Sequence, residues 1–448
     1  MAVISLKRRV AILAFAIALY PGPAAADGIV MKPHEDGWRP ATENLQQALI
    51  TYRDGIERLT VAIEVNEPDA KSMVWVLPVP AAAKQVHLDV LANFPQTRGT
   101  EVYGGALDYL DKMRMTAVIM QVWPPTAYML MNLLASSGNR EMPKAAAPAP
   151  MAAAQSVMVH ERVEKQGMVS EVITAREGSA LYAYLAGKGL NIKAGAVPTL
   201  DFYIGKDYTF VASWFIRDTT QENDSESTLA KGIEVRFPAE EMFFPLFPTS
   251  AYGDRVVPTS IRVAGHVTPR PFADIAQATT IGYYVAATAS DRLRGPLGTN
   301  YLYTKIDIDA PAKALTQDLW ISPKPPGLRG LDVATFVTRY SVFIYVVLLV
   351  AVSALTSLVV GWTVFRELRT GKGARRLVLV GLGNCVTLLG MLVTMLALPK
   401  GWKRRAGYLA AFSLLFMLSI AAVTWGFGAF LEPMKPKSYE FRAPAPGR

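Results

Sequence analysis

The sequence predicts an α+β chain: a predominantly antiparallel β domain outside the cytoplasm, followed by three transmembrane α-helices. Three observations carry that reading. A basic stretch and a short apolar run open the chain, three long charge-free apolar segments close it, and residues 27–322 between them are mostly short alternating runs bounded by turn residues.

At the N-terminus, Lys7, Arg8 and Arg9 precede the apolar run Val10–Tyr20, then Pro21-Gly22-Pro23 and Ala24-Ala25-Ala26. Basic, apolar and small-residue parts in that order predict a secretory signal over 1–26, cleaved before Asp27. The run is shorter than the roughly 20 residues that cross a bilayer. An uncleaved anchor is the alternative, and both place the domain on the same far side.

The domain, 27–322, reads as strands. Leu45–Thr51 and Arg58–Val65 flank the turn signal Arg53-Asp54-Gly55. Leu59, Val61, Ile63 and Val65 alternate with Thr60, Ala62 and Glu64, predicting one core face. Met73–Leu77 is continuously apolar, a strand buried on both faces and ended by Pro78 and Pro80. Val86, Leu88 and Val90 alternate with His87 and Asp89. Gly104-Gly105 reads as a turn. Val157–Val163 and Met168–Thr174 form a hairpin, a short helix covers Ser179–Ala186, and Thr199–Ile204 with Tyr208–Ile216 forms another hairpin. Further strands are Ile233–Phe237, Met242–Phe247, Val256–Val263, Thr280–Ala287 and Tyr301–Ile308. Strands with segregated helices point to α+β.

Two blocks, Trp75–Pro80 and Phe243–Pro248, echo one another, which raises two related β lobes as an alternative to coincidence. An Ala/Pro-rich insert at 136–156 and the polar Asp218–Ser227 have no core-forming content. Thr116–Ser137 is uncharged and apolar but is broken by Trp123-Pro124-Pro125. It reads as two short elements within the domain, with a membrane span as the alternative. A Pro-rich tether, 323–339, leads to the anchor.

The anchor, 340–431, holds Tyr340–Phe365, Leu377–Leu398 and Tyr408–Leu431, none with Asp, Glu, Lys or Arg. Each is long enough to cross about 30 Å of hydrocarbon. Tyr340, Trp362, Trp402, Tyr408 and Trp425 lie at their edges, as interfacial aromatics do. Three crossings put the basic loop Arg366–Arg376 inside, the basic loop Pro399–Gly407 outside and the tail 432–448 in the cytoplasm. A rival keeps both basic loops inside by making Leu377–Leu398 re-entrant, helped by Gly381, Gly383, Asn384 and Gly390. Three crossings are preferred, because lipid-exposed turns are costly. Gly383, Thr387 and Gly390 form a small-residue stripe suited to helix packing or to a homo-oligomer.

Charge is unevenly placed. The net +9 comes from the targeting end and the membrane flanks, and the stretch Asp27–Arg339 is mildly acidic. That excludes a general phosphate-attracting field and argues against nucleic-acid binding. The one cysteine, Cys385, lies in an apolar segment, so the domain has no disulfide framework and no thiolate metal site.

Several blocks together resemble a bacterial family of exported proteins known only as a domain of unknown function. They are Ala48-Leu49-Ile50-Thr51-Tyr52 with Asp54-Gly55, Trp75-Val76-Leu77-Pro78-Val79-Pro80, Val172-Ile173-Thr174-Ala175, Tyr301-Leu302-Tyr303-Thr304 and Leu315-Thr316-Gln317-Asp318. The likeness spans roughly Asp27–Ser322, with Trp75, Leu77, Pro78 and Pro80 its most specific part. It implies export and one β-rich domain made from both halves, and it brings no activity or catalytic residue. Members often carry cysteines near the mature N-terminus. This chain has none there, so no disulfide or lipid attachment carries over.

No catalytic, cofactor or metal motif emerges. His34, His87, His160 and His266 are not in ligand-spaced groups, and GxSxG, phosphate-loop and dinucleotide fingerprints are missing. His34-Glu35-Asp36 reads as a polar turn, and His87 with Asp89 as a solvent face. Trp75, Trp214, Phe215, Phe243 and Phe244 read as an aromatic core rather than a groove. The expectation is therefore a noncatalytic, membrane-anchored periplasmic module of the bacterial inner membrane. Its partners would be the bilayer and a protein or envelope component. The alternatives are an envelope hydrolase with an unrecognised site and an accessory subunit of a membrane transporter.

Overall fold

Asp54 and Gly55 both have positive φ, 54° and 77°. This is the twist a two-residue hairpin turn needs, and it sets the register of the longest strand pair. The computed structural model describes residues 29–34, 37–40, 43–65, 72–91, 94–95, 97–122, 158–165, 168–175, 177–188, 197–216, 231–286, 301–368, 371–384, 393–394 and 396–434. The signal 1–26, the insert 136–156, Asp218–Ser227, Cys385, Thr387 and Gly390 lie outside the described residues.

The first sheet is antiparallel throughout. Its strands run in the order Gly37–Pro40 (β2), Ile29–His34 (β1), Ser72–Val79 (β5), Thr209–Ile216 (β10), Met168–Thr174 (β9) and Met158–Lys165 (β8). The second runs His87–Leu91 (β6), Lys231–Pro238 (β11), Ile56–Val65 (β4), Glu43–Arg53 (β3), Thr259–Ala264 (β13), Leu302–Ile308 (β16), Thr279–Ala286 (β15) and Gly99–Glu101 (β7). Among the described strands only β3 and β13 pair parallel in it. A third sheet joins Met242–Phe244 (β12), Leu319–Ser322 (β17) and Thr268–Arg270 (β14).

The two large sheets pack face to face over Trp75, Leu77 and Val211 from one and Ala48, Ile50, Leu59, Val61, Ile233 and Val235 from the other. The far face of the first sheet presents Val74, Val76, Phe210 and Ala212 to the helix Gly178–Gly187 (α2), through Leu181, Tyr182 and Leu185. This explains the unbroken apolar run in β5: odd residues fill the sandwich and even ones fill the helix layer.

Several expectations need correction. Pro78 does not end its strand. It pairs opposite Phe210, at a position beyond Val76, where pairing with β1 stops, and only Pro80 lies past the strand. In β4, Thr60 and Ala62 are buried as fully as Leu59 and Val61, so both faces are covered. Thr199–Ile204 is not a strand. Pro198–Asp201 makes one helical turn with Pro at its start, and Val197, Leu200 and Tyr203 bury one side at three-residue spacing. Met242–Phe247 holds only a three-residue strand before the 3₁₀ turn Phe247–Tyr252. The two-lobe reading fails because both halves of the chain contribute strands to each large sheet. The echoing blocks also lie in different sheets.

Gly104 and Gly105 are not a turn. They begin the helix Val102–Val122 (α1). A Cβ at Gly105 would stand 2.6 Å from Thr100 and 3.2 Å from Thr338, so the glycine permits close approach to the next helix. That helix, Arg329–Arg339 (α3), replaces much of the expected tether. It buries Leu331, Ala334 and Val337 against the domain, and Thr338 donates to the Val102 carbonyl at 2.8 Å.

Two helices, Ser341–Val364 (α4) and Trp402–Leu431 (α6), are long and apolar enough to cross a membrane. The expected third crossing is not one continuous helix. Gly371–Asn384 (α5) is followed by a reversal: a Cβ on Gly383 would lie 3.2 Å from Val393, and Asn384 Nδ2 is 3.2 Å from Thr394 Oγ1. Ten residues of helix would separate those pairs by about 15 Å. The chain instead brings Asn384 and Thr394 back together and pairs their amide and hydroxyl internally.

α1 runs antiparallel to α6. Leu107 meets Gly428, Arg114 Nε donates to Thr424 at 3.3 Å, and Ser413 donates to Gln121 Oε1 at 2.8 Å. Of Thr116–Ser137, the described part therefore packs on the apolar helices rather than inside the domain, and residues 123–137 lie outside the described residues. The far end of α6 returns to the domain: Leu431 joins the core cluster that α1 and α3 share with the sheets. The tail 435–448 lies outside the described residues; the last described residue, Met434, lies beside Gly330 of α3.

Gly330 tests this junction, because a Cβ there would stand 2.6 Å from Met434 Cβ. Gly330→Val is expected to cost about 1–3 kcal/mol in detergent thermal unfolding. Met434→Gly, which removes that Cβ, should recover part of that loss in the same chain. Two fully additive effects would mean that the end of α6 does not rest on α3.

Candidate functional site

Four sequence-singled residues, Trp75, Leu77, Pro78 and Pro80, meet different fates. Trp75 and Leu77 are wholly buried in the sandwich, and Pro78 is buried in the ladder. Only Pro80 reaches a surface feature. It lines a shallow groove of about 520 Å³ with Gly55, Pro238, Ala239, Glu240 and Trp320.

Sheet ends build this groove. The β3–β4 turn supplies Gly55, whose carbonyl accepts from Ala239 N–H at 2.9 Å. Tyr52 donates to the carbonyls of Ala239 at 2.8 Å and Glu240 at 3.0 Å, fixing the segment after β11. β17 supplies Trp320, 38% exposed, and Ile56, opposite Pro238, is 46% exposed. Behind Trp320 an aromatic series runs inward: Phe243 at 5.0 Å, then Tyr208 at 6.1 Å from Phe243, then Tyr203 at 5.0 Å from Tyr208. Tilted and edge contacts of this kind hold ring planes in place.

Two carboxylic acids flank the series. Glu57 has no exposed surface. One of its oxygens accepts from Phe243 N–H at 2.7 Å, and among the described residues the other has no partner. Burial pushes its pKa well above the usual carboxylate range, and the backbone hydrogen bond offsets this only in part. Asp318 is half-buried and accepts from Tyr203 at 2.8 Å and 2.9 Å and from Phe247 N–H at 3.1 Å. Burial raises it to about 6 against the pull of those donors and of Lys206. Tyr203 is itself pushed far upward by burial and by Asp318, so it stays a donor, and Tyr208 rises to about 12 for the same two causes.

The other candidates do not converge here. His160 Nε2 lies 3.1 Å from Thr174 Oγ1, and His266, lowered by burial, lies 3.1 Å from the Tyr284 carbonyl. His87 and Asp89 do share β6, but Asp89 ion-pairs with Lys165 of β8 and accepts from its neighbour Val90 N–H. His34-Glu35-Asp36 lies partly outside the described residues. Among the described residues, no group of three or more His, Cys, Asp or Glu could hold a metal ion. Trp75, Phe243 and Phe244 are core, and Trp214 is nearly so, beneath Lys188 at 4.6 Å. That lysine and Arg162 neutralise the buried Glu171 at 3.1 Å and 2.7 Å, with Tyr184 donating to the same carboxylate.

Sequence reasoning missed Glu57, Trp320 and the role of Asp318. For Glu57 the signal was present: it shares the alternation of Leu59 and Val61, so the face that predicts a core also predicts a buried acid. Trp320 gave no such sign, because nothing local says which side of a four-residue strand is left uncovered.

No family model, no curated protein and no solved structure matches this chain.

Both acids bind protons more tightly folded than unfolded, so each makes stability fall as pH rises. For Asp318 the loss should span about pH 4 to 6, and for Glu57 it should continue to higher pH. Glu57→Gln keeps an acceptor for Phe243 N–H and is expected to raise the melting temperature at pH 8 while flattening its decline above pH 6. Asp318→Asn should flatten only the lower portion. A melting temperature independent of pH in the parent protein would contradict the assignment.

Proposed function

We propose that this chain is a membrane-anchored binding module, without catalysis, that seats an extended segment of a protein or envelope partner in the Pro80–Trp320 groove. The exposed Trp320 carries the reading. It is a large indole with two prolines and a backbone turn beside it, held from behind by Phe243. Such a surface loses little entropy on binding, because its rings and proline backbones are already fixed. Prolines beside an aromatic also suit extended, polyproline-like ligands.

The same reading includes a topology. α4 and α6 cross the bacterial inner membrane, and α5 with its return arm enters and leaves on one side. Both basic loops face the cytoplasm, as the positive-inside rule favours. The β domain, its groove and the last turn of α6 then face the periplasm, in keeping with a signal over 1–26. The resemblance to exported proteins supports the same side.

A second reading, an envelope hydrolase, is favoured by one arrangement: Asp318, which burial raises to about 6, accepts from Tyr203. An accessory-subunit role is favoured by the concave apolar face of α6 at Ala422, Val423, Gly426, Phe427 and Phe430.

A photo-crosslinking residue at Trp320, compared with one at the more exposed control Val256, tests the groove in living cells. A discrete adduct from 320 and none from 256 is expected. Equal yields would remove the groove from consideration. For topology, a periplasm-active reporter should be silent when fused near Lys403 and active when fused after Met434. Activity at Lys403 would restore three crossings.

A further inference from the structure

The apolar segment between the two basic loops folds back, so the loops meet at one end of the helical bundle. Arg404 pairs with Glu367 at 3.2 Å. Arg405 donates to the carbonyls of Leu398 at 2.6 Å and Pro399 at 3.1 Å, which fixes the second loop beside the returning arm. These contacts use up the one carboxylate between residues 366 and 407. Arg366, Lys372, Arg375, Arg376, Lys400 and Lys403 are left exposed, and among the described residues none has an ion-pair partner.

Helix electrostatics add to the imbalance. Both α5 and α6 begin at this end, and neither has an acidic residue in its first turn. A helix start carries roughly half a positive charge and ordinarily attracts carboxylates, not lysines. Here Lys372 and Lys403 sit in those first turns. Trp402, 77% exposed, and Trp362, 42% exposed, stand at the same level as these cations. Indoles at the ends of apolar helices occupy the headgroup layer of a bilayer.

We propose that this end of the bundle is a docking surface for anionic phospholipid headgroups. The proposal rests on the reading that α4 and α6 cross the membrane. The six cations then lie at the depth of the lipid phosphates, and guanidinium and ammonium groups donate to phosphate oxygens. Charge complementarity selects the occupant, because among the described residues the one carboxylate at this end, Glu367, is already paired with Arg404. Each cation near an anionic surface strengthens binding about fivefold at low salt.

The full-length protein, reconstituted in phosphatidylcholine bilayers containing a minority of phosphatidylglycerol, provides the test. Lipids retained on the protein are counted by native mass spectrometry. Phosphatidylglycerol should be enriched over its bilayer fraction, and enrichment should fall as salt rises. Arg376→Gln, Lys400→Gln and Lys403→Gln together should cut the enrichment by roughly tenfold or more, with no change of melting temperature in pure phosphatidylcholine. Arg329→Gln with Arg339→Gln, at the other end of the bundle, should leave it intact. Enrichment that is absent, or that survives the triple substitution, overturns the proposal. So does equal stabilisation by inorganic phosphate in lipid-free detergent, which would mark a free-anion site. Failure to insert into any bilayer would sink the crossing reading and this proposal together, whereas insertion without lipid preference sinks the proposal alone.

Discussion

The contact on which the architecture turns is the antiparallel packing of α1 on α6. α1 is bound into the β domain at its start, through β7 and the Thr338 hydrogen bond, and reaches Gln121 deep among the apolar helices. α6 is bound into the domain at its end, where Leu431 joins the core cluster that α1 and α3 share with the sheets. Each helix is therefore anchored in the same folded body and pressed against the other along its length. A β domain on a loose proline tether would swivel, but this one cannot turn without separating two helices and exposing apolar surface at about 25 cal/mol per Å². Rigid presentation follows from the packing, and a groove at fixed orientation follows from rigidity.

Polar groups within the bundle specify how its ends align. Gln121 donates to the Asn384 carbonyl at 3.0 Å and accepts from Ser413, while Asn384 and Thr394 satisfy one another. On the basic side, Ser357 and Tyr408 are joined at 2.6 Å, and Ser357 also meets the Leu377 carbonyl. In an apolar surrounding, an amide or hydroxyl left alone costs several kcal/mol. These partners are available only if α5 ends where α1 ends and the chain then reverses. The same reversal gathers both basic loops, so the hydrogen bonds in the middle and the charge at the end are consequences of one fold-back.

In the domain, a comparable tension lies under the groove. Glu57, a carboxyl with no exposed surface whose pKa burial raises well above the usual range, accepts from the Phe243 N–H, and the Phe243 ring is the one Trp320 packs on. Stability is given up there to keep a polar link at the meeting of the third sheet with the sandwich.

Local pattern was enough for much of this protein. Alternation and turn residues located most strands, because a strand's two faces are written two residues apart. The Asp54-Gly55 turn was legible because only a few residue types adopt positive φ. Length and absence of charge marked the apolar helices. What local pattern could not decide was which elements meet. Helix Val102–Val122 read as a turn followed by domain elements because its partners, Thr338, Thr424 and Ser413, lie hundreds of residues away. Leu377–Leu398 read as a crossing because an apolar run of that length fits a bilayer equally well straight or folded. Pairing of Asn384 with Thr394 breaks that tie, and pairing is a property of the folded chain. Trp75 to Pro80 read as a single block, yet three of its singled-out residues are core and one is at a groove. Neighbours in sequence share a strand, while burial depends on what the rest of the fold lays against each face.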